Sequence, residues 1–502
     1  MTLADLYRTY VLDLDPILAD MTAHGVCVDR ERQDKLKIQV AEEIAELTAR
    51  AQSLVPSALW PRKRYKKFQE EVGRTFEPVG VDGQLKCCDR CGAPASNKSE
   101  HQKGKGNPCK GAGTVLTSCL VTEWDEILPF NPLSTDQLAD YCAWAKHKQG
   151  TNIKTGRPTL NDKHLRKLAA THGDKHPIYQ LSLDLRARQK VSSTYIDGFA
   201  PNRDGRITGT FVHSAETMRL QQRRVSLMNV SKRGKALYAK EIRRTIRPSP
   251  GCVFVGADSS SIEAIMTGWF AGDENLQRIS KSGGVHAYTA CHELGWEFTT
   301  ANVARVKSEH KQLYDRCKTI TYLTSFGGGP YMMHKSFPED FPTVNSAKRA
   351  QALLFTLFPA LGEWRTRIKI QAQHDAFLTN PFGFRNYFYN VLRRDQQTGQ
   401  WIDGEDSSDA IAFLPQSTAA FFGRGNLKRI GASWARPYMP ANGFCHDGYI
   451  LDVPTARARE ALELLAGILT RPIPEMGGLT IPCELEMGDD WASMEPAGVV
   501  NA

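Results

Sequence analysis

Two carboxylates stand out for the strands that would carry them. Asp258 closes the apolar run in "VFVGADSSSIE", and Glu263 opens the helical pattern that follows. A carboxylate at a strand end is held rigidly, which suits a ligand for a divalent metal. Asp is equally a favoured helix cap, so this pattern alone leaves both readings open. Asp447 lies in "GFCHDGYILDV", where two apolar runs flank His446, Asp447 and Gly448. That is a hairpin pattern with Asp-Gly at or beside the turn, and turn chemistry could account for both residues. Lys318, Tyr322 and Phe326 recur at four-residue spacing and share one helix face. By themselves they read as a solvated lysine beside two core aromatics. In "KCCDRCG", Cys88 and Cys91 form a C-x-x-C pair, and Cys109 follows eighteen residues on. That spacing suits structural zinc, with Cys119, His101 or Cys87 as the fourth ligand. Reduced, unpaired thiols are the competing reading.

These groups need a fold to position them, and the pattern along the chain is mixed. Residues 3–24 carry a helical apolar stripe that Gly25 closes, and "LKIQVAEEIAELTARAQSLV" reads as a second, long helix. Residues 57–120 are basic, glycine-bearing and cysteine-rich, in the manner of an insertion. From about 130 to 200 the pattern is again helical, with "KTGRPTLND" as a loop, and "DGRITGTFVH" then alternates as one strand would. From 250 the texture is strand, turn and helix. A long helical stretch at 301–325 ends in "FGGGP", 393–408 reads as a polar surface loop, and the C-terminus returns to hairpins with a helix at 455–470. No internal repeat, P-loop or dinucleotide fingerprint is present.

Composition bounds the possibilities. The chain has 502 residues, 41% apolar and 24% charged, enough for two to four lobes around a sizeable core. Its formal net charge of +9 fits a polyanionic partner. No stretch approaches the ~18 apolar residues of a membrane span, and the N-terminus lacks the marks of a secretory signal. Most cysteines are dispersed singly, as Cys27, Cys142, Cys252, Cys291 and Cys445 are, which suits a reducing compartment. An intracellular, cytoplasmic protein is expected.

Several motifs coincide, in order, with one family. The sequence resembles the polymerase module of family A DNA polymerases, the DNA polymerase I type. The family's D-Y-S-Q-I-E is similar to Asp258-Ser-Ser-Ser-Ile-Glu263, and its H-D-E to His446-Asp447-Gly448. Its fingers-helix motif is similar to the run from Lys318 through Tyr322 to Phe326-Gly327. "KVSSTY", beginning at Lys190, with "DGRI" resembles K-x-x-S-T-Y…G-R-I. "TMRLQQRRVSLMNV" resembles the segment that carries Arg219 and Asn229, "GGVHAYTA" the one that carries His286, and "LPQSTAA" the one that carries Gln416. Nearly the whole chain is covered outside 57–120.

The resemblance implies an α+β, right-hand polymerase fold: a palm with an antiparallel sheet, and helical fingers and thumb. It divides the chain into thumb and adjoining helices (1–199, with the insertion at 57–120), palm (200–262 and 381–502) and fingers (263–380). It implies template-directed DNA synthesis, with Asp258 and Asp447 holding two Mg2+ (or Mn2+) ions. Lys318 would grip the triphosphate, Tyr322 and Glu263 would face the sugar, and Phe326 would close against the templating pair. Arg219, Asn229, Gln416, His446 and Lys190 would contact primer-template DNA. His286 and Lys311 are further phosphate candidates. The family's arginine four residues before the lysine is Tyr314 here, and Arg316 lies about 200° around the helix from Lys318. Gly448 removes the family's third acid, and Ile265 replaces a usual arginine.

The remaining expectations concern setting. Zinc at Cys88, Cys91, Cys109 and a fourth ligand would fold a basic module within the thumb. The family's 3′→5′ exonuclease domain has no counterpart ahead of the first helix, so no proofreading is expected, as in compact phage replicative enzymes acting in a bacterial host cytoplasm. Primer-template DNA and deoxynucleoside triphosphates are the expected partners, with a separate exonuclease, helicase or single-strand-binding protein as further candidates, and no membrane. The alternative function is a catalytically weak or inactive DNA-binding replication scaffold. A two-metal nuclease would need another acid cluster, and none is found.

Overall fold

The computed structural model describes residues 2–68, 80–88, 114–151, 158–213, 216–231, 236–282, 284–445 and 447–501. The chain divides into a larger unit, residues 1–37 with 193–502, and a smaller one, residues 38–192.

At the centre of the larger unit is a five-stranded antiparallel sheet. β1 (Cys252–Ser259) is its middle strand and precedes helix α1 (Ile262–Ala271). Two further helices of the unit are α2 (Val285–Glu293) and α3 (Lys311–Ser325), and the long α4 (Ser407–Gly431) precedes the remaining strands. Those are β2 (Phe444–Cys445), β3 (Gly448–Pro454), β4 (Cys483–Gly488) and β5 (Glu495–Val500), with helix α5 (Ala458–Leu469) between β3 and β4. The strand order is β2-β3-β1-β4-β5.

Alternation gives the sheet two different faces. Val253, Val255 and Ala257 join Leu451, Val453, Leu465, Leu469 and Leu485 in one buried core. Phe254, Gly256 and Asp258 take the other face. The helix Asp15–His24 lays Ile17, Leu18 and Met21, with its cap residue Leu14, into the same core, so the first 37 residues group with the later part of the chain. This differs from the expected 1–199 lobe. The helix ends at Gly25, whose φ of 64° and close approach to Ile207 O (2.8 Å from an added Cβ) leave no room for a side chain.

Local departures from the sequence expectation have local causes. The stripe at 3–24 is three pieces, Leu3–Tyr7, a π-turn over Arg8–Leu12, and Asp15–His24, because Pro16 has no amide to continue the ladder. "DGRITGTFVH" is two strands in different sheets. Arg206–Ile207 pairs with Val26–Val28, and Thr210–Val212 with Gln221–Arg223. The break is at Gly209, where an added Cβ would lie 2.6 Å from Val225 O. The stretch 301–325 breaks at His310, whose ring packs edge-on to Trp296, giving Thr300–Glu309 and α3. The expected loop at 393–408 holds a hairpin, Leu392–Arg394 with Trp401–Asp403, whose turn is fastened by amides of Gln397 and Thr398 donating to Asp395.

In the smaller unit, helices Thr135–Trp144, Asp162–His172 and Ile178–Lys190 enclose Phe130, Leu138, Leu165 and Tyr179. Ser134 and Asn161 cap the first two. The same unit carries a three-stranded antiparallel sheet with Thr114–Ile127 between Arg62–Phe68 and Gly80–Cys88, so its last strand runs past residue 120. Cys91, His101 and Cys109 lie outside the described residues. The register corrects one zinc candidate. Cys119 is opposite Gly83 and Cys88 opposite Thr114, five ladder positions apart. That is roughly 17 Å along the strands, too far for Cys119 and Cys88 to share one ion.

Candidate active site

Asp258 faces Gly448 across the β1–β3 pair. The glycine leaves room for the acid: a Cβ at 448 would stand 3.2 Å from Asp258 Oδ1. Asp447 lies in the two-residue link from β2 to β3, and its carbonyl accepts from the amide of Ser259 at 3.1 Å. That bond ties the link to the end of β1, so both carboxylates line one cavity of about 310 Å3 together with Asn229, Arg243, Glu486 and Trp491. Beneath it Tyr449 is buried and donates to Gly423 O at 3.0 Å. Burial and the two aspartates push its phenol far above the usual range.

Sequence reasoning missed Glu486 and Arg243. Glu486 on β4 is opposite Gly256, and its Cγ lies 2.9 Å from where a Cβ at 256 would be. The side chain therefore rests over β1 on the face that carries Asp258. The alternating "CELEMG" was the available signal. Arg243 packs over Trp491 at 3.9 Å and donates to its carbonyl. Burial pushes its guanidinium down to about 10, with the charge of Glu486 opposing that.

Among the described residues no three His, Cys, Asp or Glu side chains converge closely enough to hold a metal. Asp258 and Asp447 form an all-oxygen pair opening on space, a donor set that fits a hard cation retaining several waters, as Mg2+ does.

Glu263, in the first turn of α1, is ion-paired with Arg219, and both are half-buried. Burial lowers the guanidinium's pKa, and the charge of Asp447 opposes this, so Arg219 lies within the field of Asp447. Resemblance assigns Arg219 to DNA; in the structure it is engaged by Glu263.

A second cluster forms on α3. Lys318 Nζ lies 5.7 Å from the Tyr322 ring centroid, and the Tyr322 and Phe326 rings stack at 6.1 Å. His286 of α2 packs 5.2 Å from Tyr322 and 6.0 Å from Tyr314. Lys311 is not brought into this cluster; it pairs with Asp315 at 3.5 Å on the exposed first turn. Arg316 pairs with Glu293. Asn229 lines the acid cavity, whereas Gln416 lies half-buried on α4, outside its lining. Lys190 is exposed at the end of its helix in the smaller unit, and His446 lies outside the described residues.

Residues 119–493 match the profile of DNA polymerase family A. The chain belongs to that family. It is 26% identical over 382 residues to "DNA polymerase I, thermostable" of Thermus filiformis, an alignment covering 72% of this chain and 42% of that protein. Against the enzyme of the same description from Thermus aquaticus the values are 26% over 384 residues, with 73% and 42% covered. "DNA polymerase I" of Treponema pallidum is 24% identical over 338 residues, with 65% and 31% covered. The chain thus spans less than half the length of these curated relatives. Its fold is similar to that of the "POL domain of Pol1 from M. smegmatis complex with DNA primer-template and dNTP", with a TM-score of 0.70 at 18% identity, covering 98% of this chain and 71% of that one. No helix among the described residues is long and apolar enough to cross a membrane.

Proposed function

We propose that this chain is a template-directed DNA polymerase that extends a primer 3′ end with deoxynucleotides. The observation that carries this reading is the Ser259–Asp447 backbone bond, which brings Asp258 and Asp447 to one cavity. Divalent ions bound there would supply neutralisation of the triphosphate and activation of the primer 3′-hydroxyl. The protein's own contribution is positioning. Asp258 and Asp447 hold the cations, Lys318 meets the triphosphate as a point charge, and Tyr322 and Glu263 face the incoming sugar. Phe326 closes on the templating pair, His286 stands beside the phosphates, and Arg219, Asn229 and Gln416 read the duplex minor groove. In this reading the sheet-bearing part (200–262 and 381–502) acts as palm, 263–380 as fingers and the smaller unit as thumb.

Asp258→Ala and Asp447→Ala are each expected to abolish magnesium-dependent primer extension and to leave DNA binding nearly intact, because phosphate contacts elsewhere dominate affinity. Near wild-type extension in either variant overturns the assignment. The same assay separates the second reading, an inactive replication scaffold, which Gly448 and Tyr314 favour. A phage setting completes the proposal on the strength of sequence resemblance.

A further inference from the structure

Arg424 is a long cationic side chain in the wrong place for one: 1% exposed, in the middle of α4. Burial pushes its guanidinium down to about 10, with the charge of Asp15 opposing that. Its hydrogen bonds all go to segments distant in sequence. Nε donates to Met218 O at 2.7 Å, and Nη1 donates to Tyr10 O at 2.7 Å and to His213 Nδ1 at 2.6 Å. An arginine cannot accept, so Nδ1 of His213 does, which leaves the His213 proton on Nε2 to be donated to Asp15 Oδ1 at 2.9 Å.

The residue so pinned is unusual. Met218 has a φ of 61°, a left-handed conformation that is strained for a non-glycine residue. Such a conformation persists where its surroundings over-determine it. The next residue is Arg219, whose side chain reaches Glu263 and the field of Asp447. A buried arginine therefore fixes one carbonyl, that carbonyl fixes a left-handed turn, and the turn aims the arginine that holds Glu263.

We propose that Arg424 and the left-handed backbone at Met218 are positioning elements for sugar selection: they hold Arg219 against Glu263, so that the glutamate stands where a ribose 2′-hydroxyl would have to fit. This rests on the reading of Glu263 as the sugar-facing residue. Nothing in it requires Arg424 or Met218 to touch the nucleotide.

The backbone itself can be tested. Glycine adopts positive φ freely, whereas a β-branched residue resists it. Met218→Gly is expected to keep the wild-type preference for deoxynucleotides over ribonucleotides. Met218→Val and Arg424→Gln are each expected to reduce that preference at least tenfold, mainly through a better kcat/KM for the ribonucleotide. Single-nucleotide incorporation on one primer-template gives kcat and KM for both sugars, and melting temperatures of all variants are measured alongside. A purely structural role would lower the melting temperature and slow both sugars in proportion. If Glu263→Ala relaxes the preference while Met218→Val leaves it unchanged, the proposal is overturned, even if Arg424→Gln fails to fold. If Glu263→Ala itself leaves the preference unchanged, the sugar-facing reading of Glu263 fails, and this inference with it.

Discussion

Tyr322 is 43% exposed, although Lys318, His286 and Phe326 crowd its ring. The residue thus stays partly exposed while its ring is held. A deoxynucleotide's 3′-hydroxyl helps organise its own triphosphate, and a tyrosine hydroxyl at that place can supply the missing bond to a dideoxynucleotide. A charge-assisted bond is worth roughly 1.5–3 kcal/mol, or about ten- to a hundredfold. The wild-type chain is expected to use dideoxynucleotides almost as well as deoxynucleotides, and Tyr322→Phe to discriminate against them by that factor. Single-turnover incorporation of the two substrates measures the ratio; an unchanged ratio in Tyr322→Phe would mean that the ring does not meet the sugar. Asp258, Asp447, Lys318 and Tyr322 were legible as candidates because each sits in a short, contiguous motif. Glu486, Arg243 and Arg424 were not. Glu486 hides in an ordinary alternating strand, and Arg243 and Arg424 have partners some 200 or more positions away, including Trp491 and Tyr10.

At the scale of elements, β3 is fastened at its middle as well as at its turn. Asp452, 1% exposed, accepts from the amide and hydroxyl of Ser249, just before β1, and meets His24 Nε2 at 3.2 Å at the end of the first core helix. Burial pushes this carboxyl up, but the bonds from His24 and Ser249 and the charge of His24 outweigh it, leaving the pKa below its usual 3.8. A depressed carboxyl stabilises the fold fully above the unfolded value and loses that contribution as pH falls through the folded one. Asp452→Asn is expected to cost about 1.5–3 kcal/mol at neutral pH. The gap in melting temperature between variant and wild type should then narrow below about pH 4. A gap that is constant with pH would show that the charge is not what anchors the strand. Elements with a strong period, such as α5 and the core of β1, could be read from the sequence. The broken ones could be read only in part: Pro16 marks one break, whereas the breaks at Gly209 and His310 go with contacts to Val225 and Trp296 that local pattern does not show.

At the scale of the molecule, the smaller unit interrupts the larger one in sequence. The cysteine pattern falls inside that interruption. Its strand Gly80–Cys88 ends at the C-x-x-C pair, which suits a metal-closed turn. About one zinc ion per chain is expected in protein purified without added zinc, lost on Cys88→Ser and Cys109→Ser and kept on Cys119→Ser, since Cys119 sits far up the ladder. A zinc content near zero would leave the insertion held by its sheet alone. The composition shift at 57–120 made this module visible, whereas nothing in the sequence signalled that residues 1–37 belong with the far end of the chain.

The shared core of Leu18 with Val253, Leu451 and Leu469 also sets the order in which the protein can be made. On a ribosome adding ~5–20 residues per second, the first helices wait roughly 20–90 s before Leu469 emerges. The smaller unit, contiguous in sequence, can complete itself in that interval. Until β4 and β5 leave the exit tunnel, the apolar stripe of Asp15–His24 has no finished surface to cover, and the nascent chain carries it exposed or in the care of a chaperone.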